Sequence, residues 1–216
     1  MPYEESWAAM KHFVKGRNAE TSDELWVLEH QPVFTLGQAA DPTHVLRQGT
    51  IPIVKSDRGG QVTYHGPGQI MFYALINIAR LGLSVRRYVE LLELSIIDML
   101  DGYGIEALGD RDAPGVYVAG AKIAALGLRV SRGSTYHGLC FNYDFDAAPF
   151  RDINPCGYSD MQISQLQLLM AEQGATLPSR AQLLSDYLVA MQRRFGFAEL
   201  SRDCTTWRNN KQENIN

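Results

Sequence analysis

The sequence predicts an α+β fold, an α/β sandwich in which a mixed β-sheet packs against helices. Two observations support this prediction. The clearest helical pattern, over residues 84–100, has runs of strand-forming residues on both sides of it. A second helical pattern, over residues 179–195, closes the apolar part of the chain. Strands and helices that alternate in this way bury their apolar faces against one another in one layered domain.

The first third of the chain contains one predicted helix and several predicted strands. Trp7, Met10 and Val14 recur at helical spacing, which predicts a helix over residues 3–15. The runs of apolar and β-branched residues that follow predict four strands, at residues 25–28, 33–36, 51–55 and 70–76.

The helix predicted at residues 84–100 has Ser84 as its N-terminal cap, and Gly102 and Gly104 follow its end. Its predicted inward face consists of Val85, Tyr88, Val89, Leu92, Ile96, Met99 and Leu100. Three further strands are predicted at 116–118, 122–130 and 135–141. The last helix is predicted to face inward with Leu184, Tyr187, Leu188, Met191 and Phe195. We expect one domain over residues 1–200 and a polar, flexible tail over 201–216.

The composition excludes several classes of protein. The chain has 20 Lys and Arg against 24 Asp and Glu, a net charge of −4, so no overall positive field favours nucleic acid. No apolar run is long enough to span a bilayer, and the N-terminus lacks a basic-then-apolar signal. Because its three cysteines are widely spaced and do not form a secreted disulfide framework, we expect a cytoplasmic protein.

The glycine-rich segment over residues 58–69, RGGQVTYHGPGQ, is the most unusual part of the chain. It lacks the Gly-Lys-Ser/Thr order of a phosphate-binding loop. Glycines let backbone approach a ligand closely, at a cost in chain entropy. Judged from its residues alone, the segment either lines a pocket or forms a tight hairpin.

Three cysteines differ in their surroundings. Cys156 lies between Pro155 and Gly157, in a constrained turn that would present a nucleophilic thiol, although a buried inert thiol is the alternative. Cys140 lies on a predicted strand, where we expect a small packed hydrophobe, and Cys204 lies in the polar tail. The close Cys-x-x-Cys pairs of a structural zinc site are absent, so we expect no metal.

Lys122 lies beside apolar strand residues in the motif GAKIAALG, residues 120–127. It is either a lysine with a buried stem and an exposed ammonium, or a residue that lowers the pKa of a neighbouring thiol. His65 and His137 each precede a glycine. Each could donate to a substrate carbonyl or orient a base, and the alternative for each is a structural role.

Five motifs occur together in one order along the chain. They are EHQPVFTLG at 29–37, RGGQVTYHGPGQ at 58–69, GAKIAALG at 120–127, HGL at 137–139 and NPCG at 154–157. Over roughly residues 3–195 the chain resembles the lipoyl(octanoyl) transferase family, the octanoyl-[acyl-carrier-protein]:protein N-octanoyltransferases. The resemblance implies the catalytic-domain fold that this family shares with the biotin–protein and lipoate–protein ligases, and it implies an acyltransferase activity.

The resemblance also implies roles for individual residues. Cys156 would be the nucleophile that carries the acyl group as a thioester, and Lys122 would lower its pKa and could act as a base. The acyl pocket would be lined by Arg58, Gly59, Gly60, Gln61, Val62, Thr63, Tyr64, His65, Ala125, Leu126, Gly127, Gly138, Leu139 and Cys140. His137 would support this lining from behind. The family usually has a small, alanine-like residue where this chain has Cys140, so the thiol would narrow the pocket slightly.

The implied reaction moves an octanoyl (or lipoyl) group from acyl carrier protein to a lysine ε-amine on lipoyl domains, the first step of endogenous protein lipoylation. The acceptors would be the lipoyl domains of 2-oxoacid dehydrogenase E2 subunits and the H protein of glycine cleavage. Because a thioester is converted to an amide, neither ATP nor another cofactor is expected. Two alternatives stay open: an ATP-dependent lipoate–protein ligase, and a non-catalytic binder of acyl chains or lipoyl domains.

Overall fold

A computed structural model of the chain describes residues 1–47, 49–155 and 161–197. Within these ranges the chain forms a six-stranded sheet, a three-stranded sheet and four α-helices, so the predicted α+β class is confirmed. The helices are α1 (Tyr3–Gly16), α2 (Val85–Asp101), α3 (Leu166–Glu172) and α4 (Arg180–Phe195). The strands are β1 (Glu24–Leu28), β2 (Val33–Leu36), β3 (Ile53–Lys55), β4 (Val62–His65), β5 (Gln69–Leu75), β6 (Leu108–Gly109), β7 (Gly115–Val118), β8 (Ala121–Ser131) and β9 (Ser134–Asn142).

The two sheets differ in their pairing. The large sheet has the order β1-β5-β9-β8-β7-β6, and all of its neighbouring strands are antiparallel. The small sheet has the order β3-β2-β4, in which β2 and β3 are parallel and β2 and β4 antiparallel. The mixed pairing that the sequence predicts is therefore located in the small sheet.

The centre of the large sheet, formed by β5 and β9, is buried on both faces. All seven residues of β5 are buried, and alternate side chains enter different clusters. Phe72 packs with α2 and α4, where its ring lies 4.1 Å from the ring of Tyr187, whereas Met71 and Tyr73 pack with Met10 of α1. Because successive strand residues point to opposite faces, one strand can serve both layers.

The three predicted helices lie at their expected positions as α1, α2 and α4, with two differences in the buried faces, whereas α3 was not predicted. The Ser84 hydroxyl caps α2 by accepting a hydrogen bond from the Arg87 amide, as predicted, but Val85 is 46% exposed because it precedes the first turn that packs on the sheet. In α4, Tyr187 and Met191 are buried as predicted, whereas the remaining buried positions are Leu183 and Ala190 instead of Leu184 and Leu188. Phe195 is partly buried. The predicted end of the domain at residue 200 and the tail over 201–216 lie outside the described residues and stay predictions.

The centre of β9 departs from regular strand geometry at His137, which has a left-handed φ of 61°. In a continuous ladder its N–H would reach the carbonyl of Ala74, but it donates to Sδ of Met10 at 3.4 Å. The Ala74 carbonyl instead accepts the hydroxyl groups of Thr135 at 2.8 Å and Tyr88 at 3.0 Å. Side chains thus replace the missing ladder bond.

The next residue, Gly138, allows β9 and β5 to approach closely. A Cβ atom at Gly138 would lie 2.1 Å from the carbonyl oxygen of Phe72, which belongs to the backbone of β5. We therefore expect Gly138→Ala to lower the free energy of unfolding by about 3 kcal/mol, the upper part of the range for overpacking. Gly16→Ala is the control, since no atom lies within 4 Å of its added Cβ. Equal denaturation midpoints in urea for the two variants would contradict the expectation.

Candidate active site

A narrow cavity lies between the large sheet, the glycine-rich segment and α1, and it leaves about 50 Å³ of space for water-sized molecules. The sequence-predicted residues that line it are Arg58, Gly60, Gln61, Val62, Thr63, His65, Ala125, Leu126, Gly127, Gly138, Leu139 and Cys140. His137, predicted to stand behind the pocket, lines it as well. The structure thus brings together motifs from β4, β8 and β9 that are far apart in the sequence.

Two predicted residues do not line this cavity. Tyr64 packs on the opposite side of β4, with its ring 5.7 Å from that of Phe34, because side chains alternate along the strand. Gly59 instead donates its N–H to the Leu128 carbonyl at 3.0 Å.

Sequence reasoning missed three cavity residues, Tyr3, Met71 and Tyr73. Met71 and Tyr73 are two residues apart on β5, so side-chain alternation along the predicted strand could have indicated that they share one face. No local signal connects Tyr3, at the start of α1, with a cavity whose other walls begin at residue 58.

The guanidinium of Arg58 fixes the glycine-rich segment to the small sheet. Arg58 is 7% exposed, and it donates to the hydroxyl of Thr35 at 3.0 Å and to the Thr35 carbonyl at 2.6 Å. It also donates to the carbonyls of Gly59 at 2.8 Å and Gln61 at 2.7 Å. A permanently charged group is thus buried with hydrogen bonds to the loop that it organises.

A carboxylate next to Arg58 joins the same segment to α1 and β9. Asp57 accepts hydrogen bonds from the indole N–H of Trp7 at 2.7 Å, the hydroxyl of Tyr136 at 2.5 Å and Nε2 of His137 at 2.9 Å. Burial alone would raise the pKa of Asp57, but these bonds outweigh it and hold the pKa well below its usual range. Because a carboxylate only accepts, Nε2 of His137 carries the hydrogen.

Burial favours the neutral form of His65 and His137, which line the cavity, and of the adjacent His30. Burial lowers the pKa of His137, although Asp57 opposes this shift, and burial lowers the pKa of His65 well below its usual value. Nε2 of His65 lies 3.2 Å from the Thr35 hydroxyl, and the rings of His65 and His137 stack on that of Tyr3. His30 has a pKa lowered by burial to about 4, and its Nε2 accepts the Tyr73 hydroxyl at 2.6 Å. His65 and His137 thus contribute hydrogen-bonded rings to the cavity wall.

Lys122, at the start of β8, is 2% exposed, which rules out an exposed ammonium on a buried stem. Its ammonium donates to the Pro114 carbonyl at 3.4 Å and lies 5.1 Å from the centre of the Tyr117 ring. Its backbone N–H donates to the Gln162 carbonyl at 2.8 Å, and its carbonyl accepts from Ser164 at 3.0 Å. Lys122 is therefore attached to the segment that follows residues 156–160.

Cys156, the predicted nucleophile, and Cys204 lie outside the described residues. The chain just before Cys156 is held by a backbone hydrogen bond, because the backbone N–H of Asn154 donates to the His44 carbonyl at 2.8 Å. Cys140 is buried in the cluster beneath α1, and burial raises the pKa of its thiol to about 12. It is therefore a packed thiol at neutral pH, as the sequence predicts.

Within residues 1–47, 49–155 and 161–197 no cluster of three or more His, Cys, Asp or Glu side chains is placed to hold a metal ion. No helix in the same ranges is long and apolar enough to cross a membrane.

Comparison with known proteins decides the family. The chain matches the lipoyl protein ligase A/B catalytic domain over residues 2–188. The chain belongs to this family. It is 50% identical over 197 residues to the octanoyltransferase of Stutzerimonas stutzeri, covering 91% of this chain and 88% of that protein. It is 49% identical over 213 residues to the octanoyltransferase of Alcanivorax borkumensis, covering 99% of this chain and 85% of that protein. Within the lipoyl protein ligase A/B family, the chain is an acyltransferase with octanoyl transfer in lipoylation as its activity.

Solved structures confirm the predicted ligase-like fold. A lipoate-protein ligase A bound with ATP aligns with a TM-score of 0.69 and 10% identity, over 88% of this chain and 80% of that chain. A bipartite lipoate protein ligase from Thermoplasma acidophilum aligns with a TM-score of 0.67 and 11% identity, over 88% and 78% of the two chains. At these identities the similarity concerns the fold alone.

The three hydrogen bonds to Asp57 generate a stability prediction. Asp57→Asn should lower the free energy of unfolding by about 2 kcal/mol at pH 7, since hydrogen bonds to a charged group are lost or weakened. Because the folded pKa is depressed, the charge stabilises the fold above the unfolded pKa of about 3.9, and this contribution is lost as the pH falls further. Urea unfolding of both proteins between pH 7 and pH 3 should show the gap narrowing below about pH 4. A gap that stays constant would contradict this account, and Asp144→Asn, at an exposed carboxylate, is the control.

Proposed function

We propose that this enzyme transfers an octanoyl (or lipoyl) group from acyl carrier protein to a lysine ε-amine on lipoyl domains, through a thioester on Cys156. The observation that carries the proposal is the buried ammonium of Lys122, which lies at the start of the strand lining the cavity. The backbone of the same residue is bonded to the chain that follows Cys156. A charged donor of this kind favours the thiolate form of a nearby cysteine.

The cavity supports the choice of an acyl substrate. Its lining includes the side chains or backbone of Met71, Ala125, Leu126, Leu139 and Cys140, which offer apolar surface. Burying the seven carbons beyond the carbonyl of an octanoyl chain is worth up to about 5 kcal/mol, at about 0.8 kcal/mol per methylene. The twelve predicted residues that line this cavity would therefore contact the chain or hold its walls apart.

The proposed chemistry has two steps. The Cys156 thiolate attacks the thioester carbonyl of the carrier, and the pantetheine thiolate leaves and takes up a proton. The lysine amine of the acceptor then attacks the S-octanoyl carbonyl, an amide forms, the Cys156 thiolate is released and the amine proton is lost. An unperturbed cysteine has a pKa of about 8.5 and is only a few per cent thiolate at neutral pH, so Lys122 is needed in the first step. Lys122 could accept the proton in the second.

The wider role of the protein belongs to the same proposal. A single catalytic domain over residues 1–200 would act in the cytoplasm and need no cofactor. Its acceptors would be the lipoyl domains of 2-oxoacid dehydrogenase E2 subunits and the glycine cleavage H protein. The fold is shared with an ATP-bound lipoate ligase, so an ATP-dependent ligase activity is the competing function. Mass spectrometry after incubation with octanoyl carrier protein separates the two, because only the transferase acquires an octanoyl group without ATP.

We expect Cys156→Ala to abolish octanoyl transfer to a purified lipoyl domain, since no other thiol would carry the acyl group. Cys140→Ala and Cys204→Ala are the matched controls and should retain transfer, because Cys140 is buried as a neutral thiol and Cys204 lies in the polar C-terminal segment. The measurement is the rate of amide formation. Substantial turnover by Cys156→Ala would exclude the thioester route.

We expect Lys122→Ala to raise the pKa of the Cys156 thiol by about 1 unit or more, because a neighbouring cation is removed. The pH dependence of iodoacetamide alkylation measures this pKa, in a background where Cys140 and Cys204 are replaced by alanine. Lys122→Arg should restore the profile poorly, since a planar guanidinium does not fit the place of a compact ammonium. An alkylation profile that is the same in Lys122→Ala and the parent would remove Lys122 from this role.

A further inference from the structure

A single peptide group lies between the ammonium of Lys122 and a carboxylate on α2. The carbonyl oxygen of Pro114 accepts a hydrogen bond from Nζ of Lys122 at 3.4 Å. The N–H of Gly115 donates to Oε1 of Glu93 at 2.8 Å. These two atoms belong to the same peptide unit, so a cation at one end and an anion at the other polarise it in the same sense. Hydrogen bonds arranged in such a chain strengthen one another.

The packing around this peptide keeps the chain of contacts in place. A Cβ atom at Gly115 would lie 2.7 Å from the Ala124 carbonyl and 3.0 Å from Cε of Lys122, so only glycine lets the lysine lie against the peptide. On another side the Tyr117 ring faces the ammonium, and the Tyr117 hydroxyl donates to the Ala113 carbonyl at 2.7 Å. These contacts hold the loop before β7 against Lys122 on one side and against Glu93 on the other.

The charges around Glu93 act in opposite directions. The pKa of Glu93 is raised overall: burial raises it most, the hydrogen bond from Gly115 lowers it, Asp110 and Glu90 raise it, and the charge of Lys122 has the smallest effect and lowers it. The attraction between Lys122 and Glu93 is reciprocal, so the carboxylate must favour the charged form of the lysine. A buried ammonium needs such a counter-charge, because burial by itself favours the neutral amine.

We propose that Glu93 is a positioning residue, which holds Lys122 charged and in place through the Pro114–Gly115 peptide. The catalytic meaning of this inference rests on the proposed function of Lys122, whereas the coupling between the two side chains does not. Glu93 would not touch the substrate. Its effect would reach Cys156 only through the lysine, and loss of its charge would make Lys122 release its proton at a lower pH.

The titration of Lys122 tests the coupling directly. The ¹³Cε resonance of Lys122 is followed against pH in protein labelled at lysine, in the Cys156→Ala background, and is assigned by its loss in Lys122→Arg. Glu93→Gln keeps a carbonyl acceptor for Gly115 but removes the charge, so the titration midpoint should fall by about 1 unit. Asp101→Asn, at an exposed carboxylate at the end of α2, should leave the midpoint unchanged. An unchanged midpoint in folded Glu93→Gln would overturn the proposal.

A measurement from the other side covers the case in which Glu93→Gln does not fold. Lys122→Met should raise the titration midpoint of the Glu93 carboxyl, followed by its ¹³C shift, and an unchanged value would overturn the proposal equally. The outcomes also separate the two hypotheses. If Lys122→Ala leaves the alkylation of Cys156 unchanged, the proposed role of Lys122 fails while the coupling stands. If only the lysine titration is insensitive to Glu93, the positioning role fails and the transferase mechanism stands.

Discussion

The buried guanidinium of Arg58 connects the small sheet to the glycine-rich segment, and the shape of the cavity depends on this connection. Its donors reach a side chain and a carbonyl of β2 and two carbonyls of the segment itself. Burying a permanent charge costs free energy unless its donors are satisfied by hydrogen bonds. The segment must therefore adopt the one path that brings its carbonyls to the guanidinium, and this path forms one wall of the cavity.

Glycines make this path sterically possible at the end of β2 and within β8. A Cβ atom at Gly37 would lie 2.2 Å from the Gly60 carbonyl, and one at Gly127 would lie 3.1 Å from the Gly59 carbonyl. The segment thus fits between the end of β2 and the middle of β8 with backbone against backbone. Asp57 adds the third attachment, through Trp7 and His137. The cavity is consequently formed by close backbone contacts between the two sheets and by side-chain contacts with α1.

Local patterns predicted the elements well, and non-local pairing explains the rest. Ser84 marked the start of α2 because capping is a local interaction, and the strand predicted at 70–76 lies at Gln69–Leu75. The question whether the glycine-rich segment is a hairpin or a pocket wall could not be settled in this way. β4, within the segment, and β5, which begins at its last residue, belong to different sheets, and their pairing with distant strands places the segment on the cavity. The position of Tyr3 in the cavity wall likewise results from packing between residues far apart in the sequence.

The chemistry of the site follows the same division between local and distant information. The motif around Lys122 left open whether its ammonium is exposed. The ammonium is buried through contacts with Pro114 and Tyr117, and the backbone of Lys122 bonds to Gln162; all three residues lie outside the motif. A lysine so deeply buried has a free-energy cost for remaining charged that grows as its surroundings lose water. Neutral acceptors and an aromatic face offset part of that cost, and a carboxylate one peptide away offsets more. Contacts of this kind let an ammonium stay charged while it is buried.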